Sequence, residues 1–134
     1  MEKSIVSTQA QKELLLNHAS KFSPNESCAI LFGRVEGNKN IVEEVYLAEN
    51  IDESPVNFTI SNEELLKAYK IAEEKKLDIV GIFHSHPNSD SFPSSTDKKF
   101  MESNPVVWLI SSNKDELKAY SLNGNIEQVS ILNS

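Results

Sequence analysis

The apolar run Leu77-Asp78-Ile79-Val80-Gly81-Ile82-Phe83 ends in His84-Ser85-His86. A short run of this kind predicts a buried strand, and what stands at its end restricts the fold. In a strand, residues i and i+2 face the same way with Cα atoms about 6.6 Å apart, so two histidines there can converge on one metal ion. A Pro/Ser/Asn/Asp loop leads out, Pro87 to Pro93, long enough to turn the chain back toward the pair. Asp97 follows at a predicted helix start. Two imidazoles and one carboxylate on a divalent ion leave a fourth position for water, the layout of a catalytic zinc site rather than a sealed structural one.

The rest of the chain reads as one unit, residues 1–134, with no repeat and no low-complexity linker. Ser7 to Lys21 reads as a helix with Ala10, Leu14, Leu15 and Ala19 on one face and a Thr8/Gln11 capping box. Strands are expected over Ser27 to Val35 and Ile41 to Leu47, joined by a turn at Glu36-Gly37-Asn38. Val56 to Ile60 is expected to be a short extended piece. Ser61 with Glu64 opens a second helix, whose apolar side is Leu65, Leu66, Tyr69, Ile71 and Ala72. Ser94 or Ser95 caps a short helix to about Glu102. Strands over Val106 to Ser111, Glu116 to Ser121 and Ile126 to Leu132 close the chain, the last two hinged at Asn123-Gly124. Helices interspersed with strands predict an α/β fold, a mixed curved sheet flanked by helices.

A net charge of −7 gives neither nucleic acid nor an anionic membrane an electrostatic reason to bind. No apolar run is long enough to span a bilayer, and Met1-Glu2-Lys3-Ser4 does not read as the opening of a signal peptide. The single cysteine, Cys28, has no partner for an internal disulfide, so the expected location is cytoplasmic. A homodimer stays open as the assembly.

Each candidate residue also has a plain reading. His84 and His86 could be hydrogen-bonded or surface histidines, and Ser94-x-x-Asp97 is a capping pattern in its own right. Glu26, after Pro24-Asn25, could be a solvated carboxylate. His18 reads as a surface histidine and Cys28 as a small core side chain.

The joint pattern decides between these readings. His84-x-His86, the seven residues Pro87 to Pro93, then Ser94-x-x-Asp97, with Glu26 upstream, resembles the signature of the JAMM (MPN-plus) metalloprotease family. The segment Pro24 to Gly33 is similar to the family's stretch that carries the glutamate. Asn50, Ser54-Pro55 and Phe58 stand where its loop into the second helix would place them. The resemblance implies an MPN fold with a cytidine-deaminase-like three-layer arrangement, and one Zn2+ per chain held by His84, His86 and Asp97. It further implies that Glu26 holds and deprotonates the water and that Ser94 hydrogen-bonds the attacked carbonyl oxygen. Asp97, engaged with a metal, is expected to be less free to cap. The implied activity is hydrolysis of a peptide or isopeptide bond at the C-terminal tail of a ubiquitin-like or sulfur-carrier protein. Phe58, Thr59 and Ile60 are the expected edge for that tail. The short loop leaves little room for the insertions that deubiquitinating relatives use to grip ubiquitin, and points to the compact archaeal or bacterial type. Two other readings stand beside it, a non-catalytic MPN scaffold and a small-molecule or small-peptide zinc hydrolase. Lack of a Pro-Cys-x-x-Cys segment disfavours a nucleobase deaminase.

Overall fold

Capping chemistry sets where the helices begin. A computed structural model describes residues 3–134; Met1 and Glu2, part of the stretch read for a signal peptide, lie outside the described residues. The elements are β1 (Ser4–Ser7), α1 (Gln9–Phe22), β2 (Cys28–Glu36), β3 (Lys39–Ala48), α2 (Asn62–Lys75), β4 (Asp78–Ser85), α3 (Ser95–Ser103), β5 (Val107–Ser111), β6 (Leu117–Asn123) and β7 (Asn125–Asn133). Ahead of α1, Gln11 N donates to Thr8 Oγ1 at 3.0 Å and Thr8 N donates to Gln11 Oε1 at 2.9 Å, a complete capping box. Ser61 caps α2 through Glu64 N, but the Glu64 carboxylate turns away and accepts from Glu49 N at 3.1 Å. Only part of each predicted apolar face turns inward, and α2 packs Leu65, Ile71 and Ala72 together with Ala68, which lies outside its predicted face. Leu15 and Ala19 pack inward from α1 while Leu14 is exposed, and α2 buries Ala68 and Ala72 while Leu66 and Tyr69 face solvent.

The strands form one mixed sheet in the order β1-β3-β2-β4-β5-β6-β7, and β1 pairs with β7 to close it into a barrel. β1 lies parallel to both β3 and β7, β4 is parallel to β5, and the other pairs are antiparallel. The expected mixed, curved sheet is therefore present, but it is a ring and not an open layer. Its first strand, Ser4–Ser7, has no counterpart in the sequence reading, and Val56 to Ile60 is loop. α1 packs with Ala29, Leu31, Phe83 and Leu109 on one face. α2 packs with Ile30 and Phe32, and α3 places Met101 against Cys28, Trp108 and Ile110, both on the alternate strand positions. Full burial of side chains such as Leu31, Phe83 and Leu109 stabilises the fold by about 1.5–3 kcal/mol each.

Two glycines are required by this geometry. A Cβ on Gly33, at the bulge where β2 shifts register against β3, would meet Ile41 O at 1.7 Å. Gly124 turns β6 into β7 with φ +77°, a conformation open to glycine at no steric cost.

Candidate metal centre

The centre forms where β4 ends and the crossover to its parallel neighbour β5 begins, at the carboxyl end of a strand. His84 is the penultimate residue of β4 and shares the face of Ile82, Trp108 and Cys28. His86 follows the strand and is anchored by its own N–H to Ser111 O at 2.7 Å. β2 runs antiparallel to β4 with Cys28 opposite His84, which brings Glu26, two residues earlier, to the same end. α3 supplies Asp97 from its first turn.

These four side chains meet in the interior. His84 Nε2 lies 3.5 Å and His86 Nε2 2.9 Å from the same oxygen, Asp97 Oδ2, and His84 Nδ1 lies 3.4 Å from Glu26 Oε1. Donor atoms of Glu26, His84 and His86 all lie within 4.8 Å of one another. His84 is 0% exposed, and Asp97, Glu26 and His86 are no more than 5% exposed. Buried polar atoms in proteins are nearly always hydrogen-bonded. Here Glu26 Oε1 and both ring nitrogens of His84 have no hydrogen-bond partner.

The donor set fits a zinc ion. Ligands of a tetrahedral Zn2+ at about 2.0–2.1 Å stand about 3.4 Å apart, close to the 3.5 Å from Asp97 Oδ2 to His84 Nε2, while His86 Nε2 at 2.9 Å stands at hydrogen-bond distance. His86 Nδ1 lies 2.7 Å from the Asp90 carbonyl, which can only accept, so Nδ1 carries the proton, and Nε2, 2.9 Å from Asp97 Oδ2, is the nitrogen that could reach a metal. Burial pulls the His86 imidazolium down, but its bonds to Asp97 and the Asp90 carbonyl outweigh this and raise its pKa. Burial pushes Asp97 up, yet the His86 bond, the His84 charge and the Ser94 N–H together hold it below the usual carboxylate range.

Asp97 also caps, contrary to the expectation that a clustered carboxylate would be less free to do so. Its Oδ2 accepts from Ser94 N at 2.9 Å while Ser94 Oγ accepts from Asp97 N at 3.1 Å. The helix cap itself aims the carboxylate. Ser94 Oγ therefore sits at the edge of the cluster with its own proton free to donate.

Phe58 stacks on the His84 ring, centroids 4.9 Å apart, and Trp108 meets that ring edge-on at 5.7 Å. An apolar cavity of about 170 Å3 opens there between Phe58, Ile60, Leu65, Ile82, Phe100 and Trp108. Thr59 also lines this cavity, but its backbone is already bonded: its N–H donates to Asn50 Oδ1 and its carbonyl accepts from Ile51 N, both at 3.0 Å. The backbone groups of Phe58 and Ile60 have no protein partner among the described residues.

Two residues matter here that the sequence reading passed over or misjudged, His18 and Ser85, and a third, Asn50, was placed by its loop but not by its contacts. His18 is not on the surface; it is buried, with Nε2 3.1 Å from Cys28 O and 3.2 Å from Ala48 O, pinning α1 to the β2–β3 pair. Ser85, between the two histidines but facing the opposite side, accepts from Ser27 N at 2.8 Å and so anchors the neighbour of Glu26. Asn50 Nδ2 donates to the carbonyls of Glu26 and Asn57 at 2.9 and 3.0 Å. Alternation in β4 points to Ser85; nothing local signals the other two contacts.

Comparisons with known proteins identify the family. The family model described as prokaryotic homologs of the JAB domain matches residues 8–123. A Pyrococcus furiosus protein named desampylase is 41% identical over 109 residues, 80% of this chain and 75% of the relative. The CysO-cysteine peptidase of Mycobacterium tuberculosis is 28% identical over 112 residues, 81% of this chain and 75% of the relative. The solution structure of a Desulfitobacterium hafniense protein superposes with a TM-score of 0.88 at 32% identity, covering 97% of this chain and 92% of that one. On the match across most of its length and on these relatives, the chain belongs to the prokaryotic JAB-domain family and is a hydrolase of the peptidase type.

Proposed function

We propose that this chain cleaves the amide bond joining the C-terminal tail of a ubiquitin-like or sulfur-carrier protein to an amine, as an isopeptide or linear peptide bond. The observation that carries the reading is the buried cluster with partnerless atoms on Glu26 and His84. His84, His86 and Asp97 would hold one zinc ion, with Asp90 fixing the tautomer of His86. When bound, zinc supplies Lewis-acid chemistry, lowering the pKa of water to about 7 and polarising the scissile carbonyl. Glu26 Oε1 takes a proton from the attacking water and returns it to the departing nitrogen. The Ser94 hydroxyl, which accepts from Asp97 N, donates its own proton toward the carbonyl oxygen, a contribution typically about 2.7–4 kcal/mol per donor. The relatives' names support a carrier-protein tail as substrate.

The strands close into a barrel, but β1 covers β3 only at Lys39–Ile41, so an extended tail could pair with β3 beyond Ile41 or with backbone outside the barrel beside the centre, and we take the second. The free backbone groups of Phe58 and Ile60 provide that edge, and the apolar cavity beside them takes a tail side chain. Thr59 contributes by holding this edge outward through its bonds to Asn50 and Ile51. Proline at Ile60, which deletes a donor the fold does not use, is therefore the sharper probe than proline at Thr59. We take the reaction to be cytoplasmic because the single cysteine, Cys28, has no partner for an internal disulfide. Among the described residues no helix is long and apolar enough to cross a membrane.

The test is metal analysis coupled to cleavage of carrier-protein fusions and lysine conjugates. Glu26→Ala should abolish turnover and keep zinc; His84→Ala and Asp97→Ala should lose both. Near-wild-type rates in Glu26→Ala would remove the proposed base.

A further inference from the structure

His86 is held at two points: its N–H donates to Ser111 O, and its ring Nδ1 lies 2.7 Å from Asp90 O. Ser111 belongs to β5, but Asp90 is exposed and sits in the loop that leaves β4. Whatever keeps the Asp90 carbonyl in place therefore matters to the ring. A cavity of about 540 Å3 opens between this loop, Ser89 to Phe92, and the hairpin of β5 and β6. The two sides are joined where Asn113 N donates to Ser89 O at 3.0 Å and where the Phe92 ring meets Tyr120 edge-on, centroids 5.5 Å apart. Ser89 O and Asp90 O are consecutive carbonyls, so the bond to Asn113 fixes the peptide from which the Asp90 carbonyl departs. Asp90 Oδ1 also accepts from Phe92 N at 3.2 Å, which restricts the peptide on its other side.

Asn113 can donate outward because of its place in its own turn. Asp115 N donates to Ser112 O at 3.1 Å, so Ser112 to Asp115 is a β-turn with Asn113 at its second position. Only Asp115 of the four has a positive φ, +57°. The turn makes no use of the Asn113 N–H. Ser112 Oγ accepts from Lys114 N and Glu116 N, both at 3.1 Å, and holds the turn's shape without it.

Resting on the metal reading above, we propose that Asn113 is a positioning residue for the metal centre, acting through its main-chain N–H. That N–H holds Ser89, Ser89 sets the Asp90 carbonyl, and the carbonyl orients the His86 ring so that Nε2 faces Asp97 Oδ2. Outer partners of metal-binding histidines typically govern affinity by about 10–100-fold. The coupling is reciprocal, so zinc strengthens the Asn113–Ser89 bond by the same factor by which that bond strengthens zinc binding.

The experiment compares Asn113→Pro with Asn113→Ala in the full chain, titrating zinc against a competing chelator dye. Alanine keeps the N–H. Proline, favoured at the second position of such a turn, deletes it and little else. Asn113→Pro should bind zinc at least about tenfold more weakly than Asn113→Ala, while the chelated forms melt within about 4 °C of each other. A merely structural role would move the second measurement and not the first. In wild type, saturating zinc should slow hydrogen exchange of the Asn113 amide about tenfold and leave that of Lys114 unchanged. This arm needs no variant to fold, and it decides alone if the proline variant melts lower. Zinc affinities of the two variants within twofold of each other, or an Asn113 exchange rate indifferent to zinc, overturns the proposal while a wild type that binds zinc and cleaves keeps the reading above. A wild type that takes up no zinc overturns both.

Discussion

Replacing Ser85 by alanine should unsettle this protein more than the loss of one small hydroxyl suggests. Ser85 Oγ accepts from Ser27 N at 2.8 Å and lies 3.1 Å from Ser27 Oγ, and both residues are buried. Ser27 N has no other partner, so Ser85→Ala strands a buried N–H, at a cost of about 1–3 kcal/mol. The hydroxyl pair adds about 0.5–1.5 kcal/mol, giving roughly 2–4 kcal/mol in total. With an unfolding entropy of about 2.1 cal/mol/K per residue over 134 residues, or about 0.28 kcal/mol/K, the melting temperature should fall by about 7–14 °C. Ser27→Ala is the control. It deletes only the hydroxyl pair, leaves the N–H bonded, and should cost about 1 kcal/mol; the double variant should be little worse than Ser85→Ala. Urea unfolding with chelator present isolates these terms from metal binding. If Ser27→Ala proved as costly as Ser85→Ala, or Ser85→Ala cost under about 0.5 kcal/mol, the stranded N–H would not be the cause.

Three further outcomes are expected. Zinc at about 100 times its Kd should stabilise the chelated protein by about 2.7 kcal/mol, roughly 10 °C in Tm by scanning calorimetry, and His84→Ala or Asp97→Ala should abolish the rise. Cys28 is fully buried, and burial, with smaller help from Glu64 and Glu26, pushes its thiol up to about 12; it should resist a chromogenic disulfide reagent until urea unfolds the chain. Burial, with a lesser push from Lys21, lowers the His18 pKa against the opposing pull of its two carbonyl partners and Glu64. The unfolded chain then takes up that proton first, so His18 costs stability as pH falls through its ordinary value of 6.5 and costs nothing above it. Proton NMR of the imidazole should find it titrating below that value, and a pKa above it would contradict the assignment.

What the sequence discloses here is what short spans determine. Thr8 with Gln11 and Ser94 with Asp97 are local pairs, and the structure forms both as capping boxes. The two histidines share a face because strand alternation leaves no other choice. Glu26 is another matter. It stands far from His84 in the chain, and only the register that sets Cys28 opposite His84 brings it in; resemblance to a family suggested that meeting, while periodicity could not. His18 was misjudged for the same reason, because the carbonyls that bury it belong to Cys28 and Ala48. The apolar stripes misled at Leu14, Leu66 and Tyr69, since a helix resting on a curved sheet covers a narrower strip than its apolar residues span. Ser4–Ser7 is too short to declare itself, with two apolar residues and partners at distant points of the chain.

That four-residue strand has an outsized mechanical role. It is held by parallel ladders alone, the weaker kind per residue, and Ile5 is its one fully buried apolar anchor. Should it peel away, β3 and β7 would be uncovered together, leaving two unpaired seams on one molecule. Each seam matches the segment another copy would have released, so a bulky fusion ahead of Ser4 invites exchange of this segment between molecules while the end of β2 and β4 that carries Glu26, His84 and His86 stays assembled.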